Sequence, residues 1–155
     1  MSSNMRLGES ELERPSVNPM YFVDSNVFLE LELDQRRADE CEVFLEKVRR
    51  GLMEALITGF HIDSILVVME NYGVKPSDLR TFLSSLLGYR ELTIYLPSLH
   101  DRILATEYME EFGLDLDDAL AYRAMKKLNI NNIVSYDKHF NLIRDITRLE
   151  PSQLQ

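Results

Sequence analysis

Short apolar runs alternate along the chain with longer stretches in which apolar residues recur every three or four positions. The short runs are typical of buried β-strands, and the longer spacing is typical of amphipathic helices. Five strands are predicted, the last of them weakly, at residues 20–23 (MYFV), 54–58 (EALIT), 92–96 (LTIYL), 131–136 (NNIVSY) and 145–149 (DITRL). Helical patterns occupy residues 36–51, 61–73, 75–88, 97–113 and 114–129.

Glycine and proline mark several of the helix ends. Gly51, Gly73 and Gly88 close helical stretches, and Pro76 lies near the start of one, as helix capping favours. Strands that alternate with helices indicate βαβ units around a mainly parallel sheet, and right-handed crossovers place helices on both of its faces. The sequence therefore predicts an α/β fold, a three-layer α/β/α sandwich with a mainly parallel central sheet of four to five strands.

The length of 155 residues fits one domain, which we expect over residues 20–150. Residues 1–19 mix charged residues with Ser, Pro and Gly and lack the apolar segment of a signal peptide, so we expect a flexible polar tail. Residues 151–155 are expected to form a short C-terminal tail. No run of 18 apolar residues is present, so no membrane span is predicted. The single cysteine, Cys41, permits no disulfide within the chain, and a cytoplasmic protein is expected.

The chain is acidic, with a formal net charge of −9. This charge argues against capture of nucleic acid by a broad basic face. It is explained either by a well-solvated acidic surface or by carboxylates that are concentrated at a cation site. Hydrophobic residues make up 45% of the chain and charged residues 28%, which is ordinary for a globular protein and does not decide between the two.

Two aspartates follow predicted strands at the point where each strand ends. Asp24 comes directly after residues 20–23, and Asp137 comes directly after residues 131–136. In an open parallel sheet, ligands bind in the crevice beyond the carboxyl ends of the strands. We therefore expect both carboxylates at one edge of the sheet.

Further aspartates lie at predicted helix starts. Asp63 falls in the first turn of a helix, and Asp115, Asp117 and Asp118 cluster at the start of another. Each acid alone is explained as a helix cap or by its interaction with the helix dipole. Four acids at one predicted edge are better explained by a shared site.

Crowded carboxylates favour a cation between them. Like charges raise each other's pKa, and a hard divalent cation with oxygen ligands relieves the repulsion. Such a cation also lowers the pKa of bound water and stabilises charge on a phosphate. The three histidines are scattered along the chain and there is one cysteine, so no zinc site is indicated. Mg²⁺ or Mn²⁺ is the predicted cofactor.

Taken together, these segments resemble a known family. They are FVDSNVFL, the acid near the start of HIDSILVVMENYG, LDLDDALAYRAM and NIVSYDKHF. In this order and spacing they span residues 21–140, and the chain resembles PIN-domain proteins, which include VapC-like ribonuclease toxins and RNA-processing nucleases.

The resemblance implies a magnesium- or manganese-dependent endoribonuclease that uses activated water to cleave a phosphodiester bond. It also implies the residues of the site. The catalytic and metal-binding acids would be Asp24, Asp63, Asp118 and Asp137. Asn26 and Ser135 would support them through hydrogen bonds, and Ser25 would assist.

Several positions leave alternatives open. Asp63 is one methylene shorter than the glutamate usual in the family, and Glu70, two helical turns further on, is the reserve candidate. Asp117 competes with Asp118 or assists it, and a helix that starts near Leu116 would make Asp115 its cap. Lys138 is a candidate contact for substrate phosphates.

The sequence also leaves the biological role open. The leading interpretation is an RNA-cleaving enzyme, either a toxin with a cognate antitoxin or a stand-alone RNA-processing enzyme. The alternative is a catalytically weak or inactive binding or scaffold protein on the same fold. A phosphoacceptor receiver domain is disfavoured, because Lys138 comes one place too late for that chemistry. Two amphipathic helices, within residues 36–51 and 76–92, favour a homodimer unless their apolar stripes are used in the monomer core.

Overall fold

The computed structural model describes residues 19–155, so the predicted tail at residues 1–19 lies outside the described residues except for its last position. The strands are β1 (Met20–Val23), β2 (Glu54–Thr58), β3 (Leu92–Tyr95), β4 (Asn132–Val134) and β5 (Thr147–Leu149). The helices are α1 (Ser25–Glu32), α2 (Ala38–Arg49), α3 (Gly59–Asn71), α4 (Pro76–Leu86), α5 (Leu99–Phe112) and α6 (Leu116–Leu128). Two 3₁₀ turns span Lys138–Leu142 and Pro151–Leu154.

The five strands form one parallel sheet in the order β3-β2-β1-β4-β5. In the register of the central strands, Phe22 pairs with Leu56 on one side and with Ile133 on the other. The connections run outward through β2 and β3 in one direction and through β4 and β5 in the other. The strand order therefore reverses between β1 and β4, where open α/β sheets bind ligands.

Alternate residues of the central strand supply two separate cores. Val23 belongs to the core that α1, α2, α3 and α4 cover, and Phe22 belongs to the core that α5 and α6 cover. Both side chains are fully buried. This alternation follows from the two-residue period of a strand, and the predicted α/β/α sandwich is confirmed.

Helix α1 is an element that the hydrophobic pattern did not predict. It starts directly after Asp24, whose Oδ1 accepts a hydrogen bond from the Ser25 amide at 2.8 Å. Val27 and Phe28 are buried in the core. Packing of these two side chains stabilises a helix of eight residues, which is too short to be stable alone.

The C-terminal residues pack on the domain through a short 3₁₀ turn, Pro151–Leu154. Pro151 is buried, and Leu154 packs against the core of the α1–α4 face. The Lys47 ammonium in α2 donates to the Leu154 carbonyl at 3.0 Å. Apolar contact and this hydrogen bond together hold the segment against α2.

The two helices that suggested a dimer differ in how they use their apolar residues. The stripe of α2 is buried in the core through residues such as Cys41 and Phe44, whereas α4 leaves Leu83 and Leu87 exposed. No helix within residues 19–155 has both the length and the apolar character that a membrane span requires. The homodimer stays a prediction.

A buried aspartate joins α5 to its neighbours. Asp101, which is 1% exposed, accepts hydrogen bonds from the Tyr95 hydroxyl at 2.6 Å, the Ser98 amide at 2.8 Å and Arg123 Nε at 2.8 Å. Burial by itself would raise the pKa of Asp101, but these three donors outweigh it and lower that pKa to about 2. Because Arg123 lies in α6, the contact fixes α5 against α6.

Replacing Asp101 is expected to destabilise the fold in a pH-dependent way. Asp101→Asn should lower the free energy of unfolding at neutral pH by roughly 1.5–3 kcal/mol, the usual value of hydrogen bonds to a charged group. The pKa is lower in the folded chain than the unfolded value of 3.8, so the contribution of the carboxylate is present above that value and is lost as the pH falls toward about 2. Urea unfolding of wild type and Asp101→Asn at a series of pH values measures the difference in their free energies of unfolding.

Glu107→Gln is the matched control, because Glu107 is an exposed acid of the same helix, and it should change the free energy of unfolding by less than about 0.5 kcal/mol. A difference between wild type and Asp101→Asn that stays constant down to pH 3 would contradict the assignment.

Candidate functional site

A cavity of about 290 Å³ opens at the edge of the sheet where the strand order reverses. Residues of α1, α3 and α6 line it, together with residues that follow β1 and β4. Its lining includes five carboxylates and no lysine or arginine. The five are Asp24, Asp115, Asp117, Asp118 and Asp137.

Asp24 is held at the centre of this site by hydrogen bonds on both carboxylate oxygens. It is 3% exposed. Oδ1 accepts from the Ser25 amide, and Oδ2 accepts from the Ser135 hydroxyl at 2.6 Å and from Asn26 Nδ2 at 3.2 Å. The Asp24 amide also donates to the Val134 carbonyl at 3.0 Å. The end of β1 is thereby fixed to the end of β4.

The segment after β4 brings Asp137 to the same cavity. The Ser135 hydroxyl that donates to Asp24 accepts the Asp137 amide at 3.0 Å. Asp137 Oδ1 in turn accepts the His139 amide at 2.9 Å and lies 3.1 Å from His139 Nδ1. Ser135 therefore sets the separation of the two strand-exit acids.

The start of α6, including its N-cap, contributes three of the five carboxylates, those of Asp115, Asp117 and Asp118. Asp115 caps the helix, and its Oδ1 accepts the Asp118 amide at 2.9 Å. The cap that the sequence suggested for a helix starting near Leu116 is thus present. Asp118 is 3% exposed, and its carboxylate, that of Asp137 and the His139 ring each place one atom within 4.8 Å of the others.

The carboxylates of the site disfavour each other's ionisation. Burial is the largest influence on Asp24 and raises its pKa; the hydrogen bond from Ser135 offsets part of this, and the charge of Asp117 adds to it. Burial likewise raises the pKa of Asp118, and the neighbouring Asp137 and Asp24 raise it further. In the absence of a cation, the folded chain therefore favours a protonated Asp118.

Two carboxylate oxygens in the cavity are buried without a hydrogen bond from the described residues. They are Oδ2 of Asp118 and Oδ1 of Asp117. The Ser25 hydroxyl, which also lines the cavity, has no partner within residues 19–155 either. Buried polar atoms without partners are costly unless a ligand satisfies them. An all-oxygen set of this kind fits Mg²⁺ or Mn²⁺.

Three predicted site residues do not line the cavity. Asp63, Glu70 and Lys138 are exposed and do not belong to its lining. The displacement of Asp63 follows from the start of α3. The sequence pattern suggested a helix over residues 61–73, but the helix begins two residues earlier, at Gly59, directly after β2. As a result, Ser64 and Val68 face the cavity in place of Asp63.

His61 is a member of the site that the sequence did not indicate. It is fully buried, and its ring, Asp24 and Asp117 each place one ligand-type atom within 4.8 Å of the others. The usable signal was Thr58, a residue suited to cap a helix that starts directly after a strand. That start turns the third helical residue inward.

The fold is similar to those of several solved structures. One is the Mycobacterium tuberculosis toxin VapC20, which cleaves the sarcin–ricin loop: the TM-score is 0.66 at 13% identity, over 82% of this chain and 96% of that one. A Klebsiella pneumoniae toxin–antitoxin complex gives a TM-score of 0.60 at 18% identity, over 84% of this chain and 97% of that one. VapBC2 of Rickettsia felis, bound to a promoter DNA fragment, gives a TM-score of 0.61 at 17% identity, over 84% of this chain and 98% of that one.

No curated protein sequence matches the chain. The family model of the PIN domain, however, matches residues 21–146. This range is most of the chain, and it contains all five carboxylates of the cavity. The chain therefore belongs to the PIN-domain family.

Proposed function

We propose that this protein is a Mg²⁺- or Mn²⁺-dependent endoribonuclease that hydrolyses phosphodiester bonds in RNA. The observation that carries the proposal is the cavity at the strand-order reversal, where five carboxylates converge and two of them present buried oxygens without partners. Membership of the PIN-domain family supports the same reaction class.

Asp24, Asp118 and Asp137 are the proposed metal ligands, and Asp117 is a fourth candidate. A bound divalent cation would supply charge stabilisation at the phosphate and a more acidic water. Asp63 was predicted as a ligand, but we leave it out of the proposed set because its side chain is exposed outside the cavity.

The surrounding polar residues orient these acids. Ser135 and Asn26 donate to Asp24, and Ser135 also accepts the Asp137 amide. These contacts fix the carboxylates before any ligand binds, which reduces the cost of organising the site. Ser25 presents its hydroxyl to the same cavity.

RNA binding is proposed to use basic groups beside the cavity. The Arg37 guanidinium lies 3.7 Å from the ring centroid of Tyr136, the residue between Ser135 and Asp137. Lys138 is exposed directly after Asp137. Phosphates on either side of the cleaved bond would meet these two cations.

A toxin role with a cognate antitoxin is the proposed biological setting. Two structures of similar fold are described as a toxin and as a toxin–antitoxin complex, and each is covered over nearly its whole length. A catalytically weak binding or scaffold protein is the second candidate. The buried His61 favours this second candidate. At this position α3 presents an imidazole ring to the site, whereas a carboxylate there would have added a further metal ligand.

The cleavage assay tests enzyme, cation and site together. With RNA and Mn²⁺, Asp24→Asn and Asp118→Asn should each lower the cleavage rate by more than about 100-fold, because loss of a residue behind the ligands already costs about 10- to 100-fold. Asp63→Asn should cleave at close to the wild-type rate. Gel analysis of labelled RNA measures the rates.

Asp78→Asn, at an exposed acid in the first turn of α4, controls for the loss of one negative charge. Wild-type rates for both cavity variants would remove the proposed site. A rate for Asp63→Asn as low as theirs would restore that residue to the metal ligands.

Metal-free protein should be stabilised by neutralising Asp118. Its pKa is higher in the folded chain than the unfolded value of 3.8, so the folded state binds the extra proton and stability falls as the pH rises above that value. With a chelator at pH 8, Asp118→Asn should melt at a higher temperature than wild type. The difference in melting temperature between the two proteins should become smaller as the pH is lowered to 5.

Saturating Mn²⁺ should raise the melting temperature of the wild type, by the equivalent of about 2.7 kcal/mol at 100 times the dissociation constant. The same addition should leave Asp118→Asn nearly unchanged. Equal shifts in both proteins would place the cation elsewhere.

A further inference from the structure

His61 lies in the first turn of α3 with both ring nitrogens in contact with polar atoms. Nδ1 is 2.6 Å from the Thr58 hydroxyl, which also accepts the His61 amide at 3.1 Å. Nε2 is 3.0 Å from the main-chain carbonyl oxygen of Asp117 and 3.1 Å from Asp117 Oδ1. Edge-on contacts with Phe22 and Phe60 complete its surroundings.

These contacts determine where the ring carries its proton. Both atoms facing Nε2 are acceptors, so Nε2 must be the donor. The Thr58 hydroxyl oxygen accepts the His61 amide and keeps its own proton to donate to Nδ1. In the neutral ring, the Nδ1 lone pair is therefore used by Thr58 and Nε2 has no lone pair to offer.

The same contacts decide how His61 takes part in the acidic site. Although its ring lies within ligand distance of Asp24 and Asp117, neither nitrogen is available to a cation in this arrangement. The Nε2–H group instead donates to the main-chain carbonyl oxygen of Asp117, and the Asp117 carboxylate lies 3.1 Å from Nε2 without accepting a hydrogen bond. Since Asp117 directly precedes Asp118, this contact also fixes the first turn of α6 against α3.

We propose that His61 is a positioning residue that orients Asp117 and the start of α6 toward the cation, without binding the cation itself. This inference rests on the proposed function, because the cation is the one that the carboxylates would hold. It assigns to α3 a donor that keeps two neighbouring carboxylates of α6 facing the cavity. Helix α3 therefore contributes a hydrogen-bond donor to the site and does not contribute a carboxylate.

The tautomer is tested on the metal-free wild-type protein. Long-range ¹H–¹⁵N spectra of the His61 ring, recorded with a chelator present, should show the proton on Nε2. Asp117→Ala should shift that Nε2–H signal, because it removes a carboxylate oxygen that lies 3.1 Å from Nε2. A bare Nε2 in the wild type would overturn the inference, whatever the enzyme does to RNA.

Mn²⁺ affinity, measured by titration calorimetry, tests the consequence. His61→Leu removes the donor and should weaken Mn²⁺ binding about 10- to 100-fold. His61→Gln keeps an N–H donor near the position of Nε2 and should recover most of the affinity.

The outcomes separate this inference from the proposed function. Loss of Mn²⁺ affinity in His61→Leu with no recovery in His61→Gln would mean that the N–H donor is not what the site requires, and it would overturn the inference. Unchanged Mn²⁺ affinity in His61→Leu, in an enzyme that cleaves RNA, would overturn the inference alone. If the affinities follow the expected pattern and the wild type cleaves no RNA with Mn²⁺, the inference stands and the nuclease proposal falls.

Discussion

The structure depends on one electrostatic constraint, the burial of several carboxylates in a single cavity. Asp24 and Asp118 are each 3% exposed, and burial and the neighbouring acids raise the pKa of both. Such a cluster opposes folding unless protons or a cation compensate it. The hydrogen bonds from Ser135 and Asn26, like the buried His61, hold the carboxylates together against this repulsion. The same constraint that costs stability prepares a binding site for a divalent cation.

The sheet topology explains why the cluster forms at this point. Asp24 and Asp137 follow strands that are neighbours in the sheet although more than a hundred residues separate them. The reversal of strand order leaves a crevice between the connections on either side. Helix α6 brings its first turn, with Asp117 and Asp118, to this crevice. The fold thus concentrates negative charge at one edge of the sheet.

The sequence located the ends of the strands better than the inward faces of the helices, and the reason is physical. Strand exits are set by the end of an apolar run, so Asp24 and Asp137 could be placed at the sheet edge. Which face a helical residue presents depends on where the helix begins. Because α3 starts two residues earlier than the pattern suggested, and each residue turns about 100°, Asp63 points away from the cavity. His61 was missed because a histidine on an apolar helix face has no local signal that distinguishes a site from the core.

The most direct test is the position of Mn²⁺ in crystals of the wild-type protein, found from anomalous diffraction at the manganese absorption edge. We expect a peak inside the cavity, bounded by Asp24, Asp118 and Asp137, with the His61 ring outside the coordination sphere. A peak at Asp63 on the outer face of α3, or a cavity without a peak at saturating Mn²⁺, would contradict this expectation.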